Sequence, residues 1–315
     1  MAEGEEGDLH DEGRYSFMKR KLLFRGTATA LVTPFKKDGT VDEATLRDLV
    51  DFQLKNRVEA LAPAGSTGEV GALSESEQTL VIETVVEQAA KHVPVIGGVG
   101  GDSTLKAIAM AKEAKRCGVD AILVPPPFSG SATQEGLYRH YSSIADAVEF
   151  PIVIDNTSVP RGTSLDAGTA VRLAHDVPFI VGITEADPAT VMGILSERPS
   201  GFGLWSGSDV LTLSLVALGA DGTLSVVSNE VPRGFSDLVR YALKGTNEKA
   251  RVLHYKLLPL MVAHSIEPNP VPVKAALAMM GMLEENVRLP LVTLSEHLRP
   301  RLEAILTELD ILPAG

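Results

Sequence analysis

"FIVGITEAD", residues 179–187, holds a complete strand-to-helix passage, and its reading decides the fold. The run from Phe179 to Ile183 is nearly continuous in apolar character, as expected of a parallel strand covered on both faces. Asp187 followed by Pro188 is an N-cap with proline at the first helical position, so a helix starts directly afterwards. Thr184 therefore stands at the carboxyl end of a strand.

The same beat recurs along the chain. Apolar runs appear at "GTATALVTPF" (26–35), "VEALAPAG" (58–65), "VPVIGGVG" (93–100) and "VDAILVPPP" (119–127), then at "FPIVIDN" (150–156), "GFGLWSG" (201–207) and "DGTLSVVS" (221–228), roughly 20–35 residues apart. Amphipathic helical segments lie between them. Ser74 with Glu77 forms a capping box before "QTLVIETVVEQAAKH", and Thr40 with Glu43 offers a similar start before "ATLRDLVDFQL". Eight strands alternating with helices along a right-handed path predict a (β/α)8 TIM barrel. A doubly wound open sheet would need a glycine-rich phosphate turn after its first strand, and "TPFKKDGT" is not one. Three regions follow: a flexible charged tail over 1–23, the barrel over 24–229, and a C-terminal helical extension over 230–315 packed on the barrel.

Composition narrows the function classes. The 315 residues are 44% hydrophobic with a formal net charge of −12, which argues against nucleic acid or an anionic membrane as partner. No apolar run approaches the ~18 residues of a membrane span. The opening, with Glu3, Glu5, Glu6, Asp8, Asp11 and Glu12 before Lys19–Arg20–Lys21, has neither the apolar core of a secretory signal nor the acid-poor character of a transit peptide. Cys117 is the only cysteine, so no internal disulfide forms, and its place between a helix and a strand suits a small buried residue. A cytoplasmic location is the expectation.

Chemistry in such barrels collects where the strands end, and helix N-termini there offer N–H groups to anions. That selects Ser66, Thr67 and Glu69 after the second strand, Ser129 after the fourth, and Asp155 with Asn156 at the fifth. Thr184 ends the sixth, and Ser206, Ser208 and Asp209 follow the seventh. Glu69, Asp155 and Glu185 are the oxygen ligands a metal would use. Glu185, however, has the opposite parity to Thr184, and no histidine falls at a strand end, so no metal site is expected. Trp205 belongs in the core or beneath the site.

Several of these stretches together resemble the dihydrodipicolinate synthase and N-acetylneuraminate lyase family. "GTATALVTPF" looks like its first strand and "GSTGE" (65–69) like its carboxylate-binding turn. "QEGLYRHY" (134–141), "SGSD" (206–209), "LGADGTLSVVSN" (218–229) and "NPVPVKAAL" (269–277) match in order. The resemblance implies a homotetramer and a pyruvate-like 2-oxo acid held as a Schiff base on a lysine, in a pattern like "GIKEA". Here the segment is "GITEA", with Thr184 at the lysine position. A tyrosine of the family's "YN" pattern is matched by Asp155, and a second tyrosine after the fourth strand falls on Ser129. A substrate-contacting arginine corresponds to Arg161.

A threonine hydroxyl cannot form an iminium, so the electron sink of the family's usual mechanism is missing. The remaining lysines considered, Lys106, Lys112, Lys115 and Lys274, lie on helical segments. Ser66 and Thr67 are expected to hold a carboxylate, with Ser129, Arg161 and Ser206 completing the substrate contacts. Asp155 either moves a proton or shapes its loop through pairing, and Thr184 would hydrogen-bond the substrate oxygen that otherwise becomes the imine. Two functions stay open. One is a lyase acting on a small carboxylate or 2-oxo acid by acid–base chemistry (aldol-type cleavage or hydration/dehydration) with no cofactor. The other is a catalytically silent carboxylate-binding or regulatory protein.

Overall fold

The computed structural model describes residues 21–101, 103–127, 132–157 and 164–312. Each expected apolar run contains a strand: β1 Gly26–Ala30, β2 Ala60–Ala62, β3 Ile96–Gly98, β4 Ala121–Val124, β5 Ile152–Asp155, β6 Ile180–Glu185, β7 Gly203–Ser206 and β8 Gly222–Ser225. They form one parallel sheet in the order β2-β1-β8-β7-β6-β5-β4-β3. A parallel bridge between Leu61 and Val95, with Gly98 N–H donating to Pro63 O at 2.9 Å, joins the two ends of that order. The sheet is a barrel, and the doubly wound alternative is excluded.

Two apolar layers follow from the period-two alternation of the strands. Ala28, Ala60, Ala62, Ile96, Leu123, Val153 and Trp205 pack inside the barrel, whereas Leu61, Ile122, Ile154, Ile183 and Leu204 pack against the helices. The interior is mostly small residues around one large one. Trp205 is 1% exposed and stacks on Phe24 with ring centroids 4.6 Å apart, so Phe24 closes the amino end of the barrel. A Cβ on Gly182 would stand 2.4 Å from the Trp205 ring and one on Gly203 would stand 2.2 Å from it, which explains both glycines. In β6 the pairing jumps from Ile180 to Gly182, leaving Val181 as an extra residue, a β-bulge. Val181 joins the interior cluster and Gly182 also faces the Trp205 ring.

The helices alternate with the strands: α1 Glu43–Lys55, α2 Glu75–Ala89, α3 Thr104–Arg116, α4 Gln134–Val148, α5 Ala167–Asp176, α6 Pro188–Glu197, α7 Thr212–Leu218 and α8 Pro232–Leu243. Local chemistry starts them where expected at α2, where Ser74 and Glu77 form the full capping box, and at α6, where Asp187 accepts from Thr190 N–H. At α1 the cap is Asp42, which accepts from Thr45 N–H; Thr40 instead donates to Asp38, because an aspartate nearer the helix outcompetes it. Cys117 caps the end of α3, and burial pushes its thiol up to about 11, so it is inert packing.

Helix α8 follows β8 and lies against β1, completing the alternation, so the 229/230 boundary passes between the last strand and its own helix. Beyond it come α9 Asn247–Ala263, α10 Val271–Met279 and α11 Arg299–Glu308, with their own apolar cluster around Phe235, Leu260, Ala275 and Leu302. Among the described residues no helix is long and apolar enough to cross a membrane.

Candidate active site

At the carboxyl ends of the strands lies a cavity of about 460 Å³. Its polar lining comes from Ser66, Thr67, Asp155, Thr157 and Asn269, with Leu123, Leu224 and Val226 as apolar wall. No lysine, arginine or histidine lines it among the described residues.

The turn carrying Ser66 and Thr67 is held from several sides. Glu69 N–H donates to Ser66 O at 3.1 Å, Val70 N–H to Gly65 O at 3.2 Å, and Thr33 Oγ1 to Gly68 O at 2.7 Å. A Cβ on Gly68 would stand 3.0 Å from Ala64 N and 3.2 Å from Leu31 O, so the turn is packed tightly against backbone at this glycine. Glu69 adopts a left-handed φ of 56° and turns its carboxylate onto the C-terminal extension. Lys274 Nζ donates to Glu69 Oε1, and Arg288 N–H donates to Oε2 at 3.0 Å. Lys274 also donates to Asn286 O at 2.8 Å and sits 4.1 Å from the Phe35 ring centroid. Burial pulls its ammonium down to about 8 against the opposing attraction of Glu69.

Asp155 and Thr184 are register partners on β5 and β6, and both are buried. Thr184 Oγ1 donates to Asp155 Oδ1 at 2.9 Å. Thr157 donates to the same oxygen through its N–H at 3.2 Å and its Oγ1 at 2.7 Å. The expectation that Thr184 donates to a substrate oxygen therefore meets a stronger claim on its proton, an adjacent carboxylate. Tyr141, fully buried on α4, donates to Val124 O; burial and the Asp155 charge push its phenol well above the ordinary range.

Ser66, Thr67, Asp155 and Thr184 thus converge on one region, Thr184 through its bond to Asp155. Ser206 does not join them. It ends β7 facing the helices, donates to Ser208 O at 2.9 Å and accepts from Ser208 N–H, building the turn into α7. Ser129 and Arg161 lie outside the described residues. Asp209 is half-buried, and its Oδ2 accepts from the N–H groups of Val226 and Val227, tying the ends of β7 and β8 together. Glu185 accepts from Asn156 Nδ2 and from the N–H groups of Ala186 and Asp187, facing away from Thr184 as its parity requires. Glu69 and Glu185 are thereby committed to these partners, and among the described residues no group of three or more His, Cys, Asp or Glu could hold a metal ion.

Two cavity residues were not selected from the sequence. Thr157 sits two positions after Asp155, the spacing at which an aspartate accepts from a following residue. Asn269 arrives from before α10 and donates from Nδ2 to Thr67 Oγ1 at 2.9 Å; its segment was noted only as a motif. Beside the cavity, a hollow of about 640 Å³ shares Ser66 and is bordered by Lys106 and Arg288.

Comparison with known proteins agrees with this architecture. Residues 23–309 match the model of the dihydrodipicolinate synthetase family. The 4-hydroxy-tetrahydrodipicolinate synthase of Koribacter versatilis is 42% identical over 92% of this chain and 98% of its own. The crystal structure of dihydrodipicolinate synthase from Aquifex aeolicus superimposes with a TM-score of 0.89 at 38% identity, covering 93% of this chain and 100% of that one. A structure described as the first monomeric dihydrodipicolinate synthase variant gives 0.88 at 39% identity over 92% and 98%. With the barrel, the strand-end cavity and these relatives in agreement, the chain belongs to the dihydrodipicolinate synthetase family.

Proposed function

We propose that the protein is a lyase of this family that acts on a small carboxylate or 2-oxo acid without forming an imine. The observation that carries the reading is the Thr184–Asp155 pair at 2.9 Å, a hydroxyl and a carboxylate at the strand ends where the resemblance puts a lysine and a tyrosine. Supporting it, the buried Lys274 is directed at Glu69 and Asn286.

In this reading Ser66 and Thr67 hold the substrate carboxylate, and Asp155, oriented by Thr184 and Thr157, moves a proton in an aldol-type cleavage or in the addition or loss of water. Rate enhancement then comes from positioning and from fixed dipoles rather than from a covalent electron sink. Ser129 and Arg161 remain proposed contacts on the adjoining loops. Association into a homo-oligomer, which the family resemblance implies, is part of the same reading.

One observation favours a second reading, a carboxylate-binding protein without turnover. Three donors from Thr157 and Thr184 converge on Asp155 Oδ1, which is also what a purely loop-shaping carboxylate would accept.

The deciding experiment joins two measurements. Incubation with pyruvate and borohydride should leave the intact mass unchanged, and a stable adduct would refute imine-free chemistry. Turnover of a stabilising small carboxylate, lost in Asp155→Asn, would select the enzyme over the binder.

A further inference from the structure

Far from the strand-end cavity, Arg233 at the start of α8 and Lys256 on α9 are exposed, and neither side chain forms an ion pair or hydrogen bond among the described residues. Both border a hollow of about 260 Å³ whose apolar wall includes Phe52, Leu253, Leu257 and Ile311. Glu230 also borders it, but is 2% exposed, and its Oε1 meets His264 Nε2 at 2.7 Å. The charge exposed at the mouth is therefore that of the two cations.

Lys249, Leu253 and Lys256 follow at i, i+4 and i+7, so they share one face of α9. Lys249 is exposed, pairs with no carboxylate among the described residues, and has its Nζ 5.5 Å from the Tyr241 ring centroid. The hollow thus lies along a stripe of cation, leucine and cation, on a chain whose formal net charge is −12. Cations beside an apolar recess complement a segment in which acids flank an apolar side chain.

The chain carries such a segment itself. Residues 1–20 lie outside the described residues, and within them "GDLHDE" (7–12) sets Leu9 between Asp8 and the pair Asp11 and Glu12. Asp8 and Asp11 stand ~10 Å apart in an extended chain, and Lys249 and Lys256 are separated by ~10 Å along α9. The reach is sufficient. Thr27 N–H in β1 donates to Glu59 Oε2 at 2.8 Å, and Glu59 is three residues, at most ~11 Å, from Asn56 at the edge of the hollow. Arg240 on α8 fastens the same corner, donating to Glu59 Oε1 at 2.8 Å and to Arg57 O. From Lys21 back to Leu9 the chain can extend up to ~40 Å. We infer that residues 8–12 dock on this face of their own chain, with Leu9 in the hollow and the flanking acids on Arg233, Lys249 and Lys256. The acidic tail then joins α1, α8 and α9 where the barrel meets the C-terminal extension.

Zero-length carbodiimide coupling of the full chain at low salt, with the joined peptides mapped by mass spectrometry, tests it. The expected amide bonds join Asp8, Asp11 or Glu12 to Lys249 or Lys256, about 5-fold or more above those to the exposed Lys112 on α3. About 0.5 M salt should erase that excess, because the ion pairs lie at the surface. Arg233→Glu, which removes no lysine, should lower the yield at Lys256 in the same way; circular dichroism confirms its folding, and the salt series on the wild type decides the matter without it. Leu9→Ser should lower the yield too, and an unchanged yield would overturn the seating of Leu9. An equimolar mixture of isotope-labelled and unlabelled chains should give only unmixed bonds. Mixed bonds would assign the face to the tail of a second copy and overturn docking within the chain. An even spread over surface lysines, or no bond at Lys249 and Lys256 because residues 313–315 fill the hollow instead, overturns the inference outright.

Discussion

Lys274 on α10 and Glu69 in the strand-end turn form an ion pair with both side chains sealed from solvent, linking positions 205 residues apart. The turn that carries Ser66 and Thr67 is therefore anchored to the C-terminal extension rather than only to the barrel. Removing one partner strands a buried charge. Lys274→Met should lower unfolding free energy by about 3–5 kcal/mol, read from urea denaturation, because the Glu69 carboxylate loses its cation. Lys274→Met combined with Glu69→Gln should recover a large part of that loss, and equal destabilisation in single and double variants would refute a direct pairing.

His140 should make the fold acid-sensitive. It is 6% exposed and its ring bonds Thr104 Oγ1, and burial pulls its pKa from 6.5 to about 4. A histidine with a depressed folded-state pKa stabilises fully above the unfolded value. That stability is lost as pH falls from about 6.5 to about 4, where the unfolded chain takes up a proton that the native state refuses. The shift corresponds to about 3 kcal/mol over this window. In His140→Leu the slope of unfolding free energy against pH should flatten between those limits, and an unchanged slope would show that the ring titrates normally.

The glycines around Trp205 should be intolerant of even one methyl. Gly203→Ala places a Cβ 2.2 Å from the indole. We expect a loss of about 1–3 kcal/mol from overpacking, accompanied by a red shift in the emission of this sole tryptophan as its stack with Phe24 is disturbed. A variant with wild-type emission and midpoint would mean that the ring has room to move.

Asn269→Ala tests a contact that lies outside the barrel proper. Asn269 is exposed, so its loss should leave the thermal midpoint nearly unchanged. The Thr67 hydroxyl, freed from its donor, should then rotate, and affinity for a carboxylate ligand should fall about 3- to 10-fold. A drop in midpoint without a change in affinity would make Asn269 a structural residue only.

How much of this could be read from the sequence depends on distance along the chain. The eight strands, the capping box at Ser74 and the cap at Asp187 are local patterns, and the structure repeats them. Asp155 and Thr184 were each placed at a strand end from the sequence, and they meet because those two strands are neighbours in the sheet. Asn269 and the Lys274 clamp were not, because they reach the site from positions some 200 residues away. Ser206 was misplaced for a different reason: adjacency to a strand end does not say which face a side chain takes, and Trp205 already occupies the inner one.

The extra residue in β6 has one more consequence. Because Val181 and Gly182 both turn inward, every later position on that strand is shifted by one step of the pleat. Were Ile180–Glu185 to alternate regularly with no bulge, Glu185 would face Asp155 and Thr184 would turn to the helical side, setting two acids against each other. The bulge below the rim thus sets which side chain of β6 stands beside Asp155 at the top.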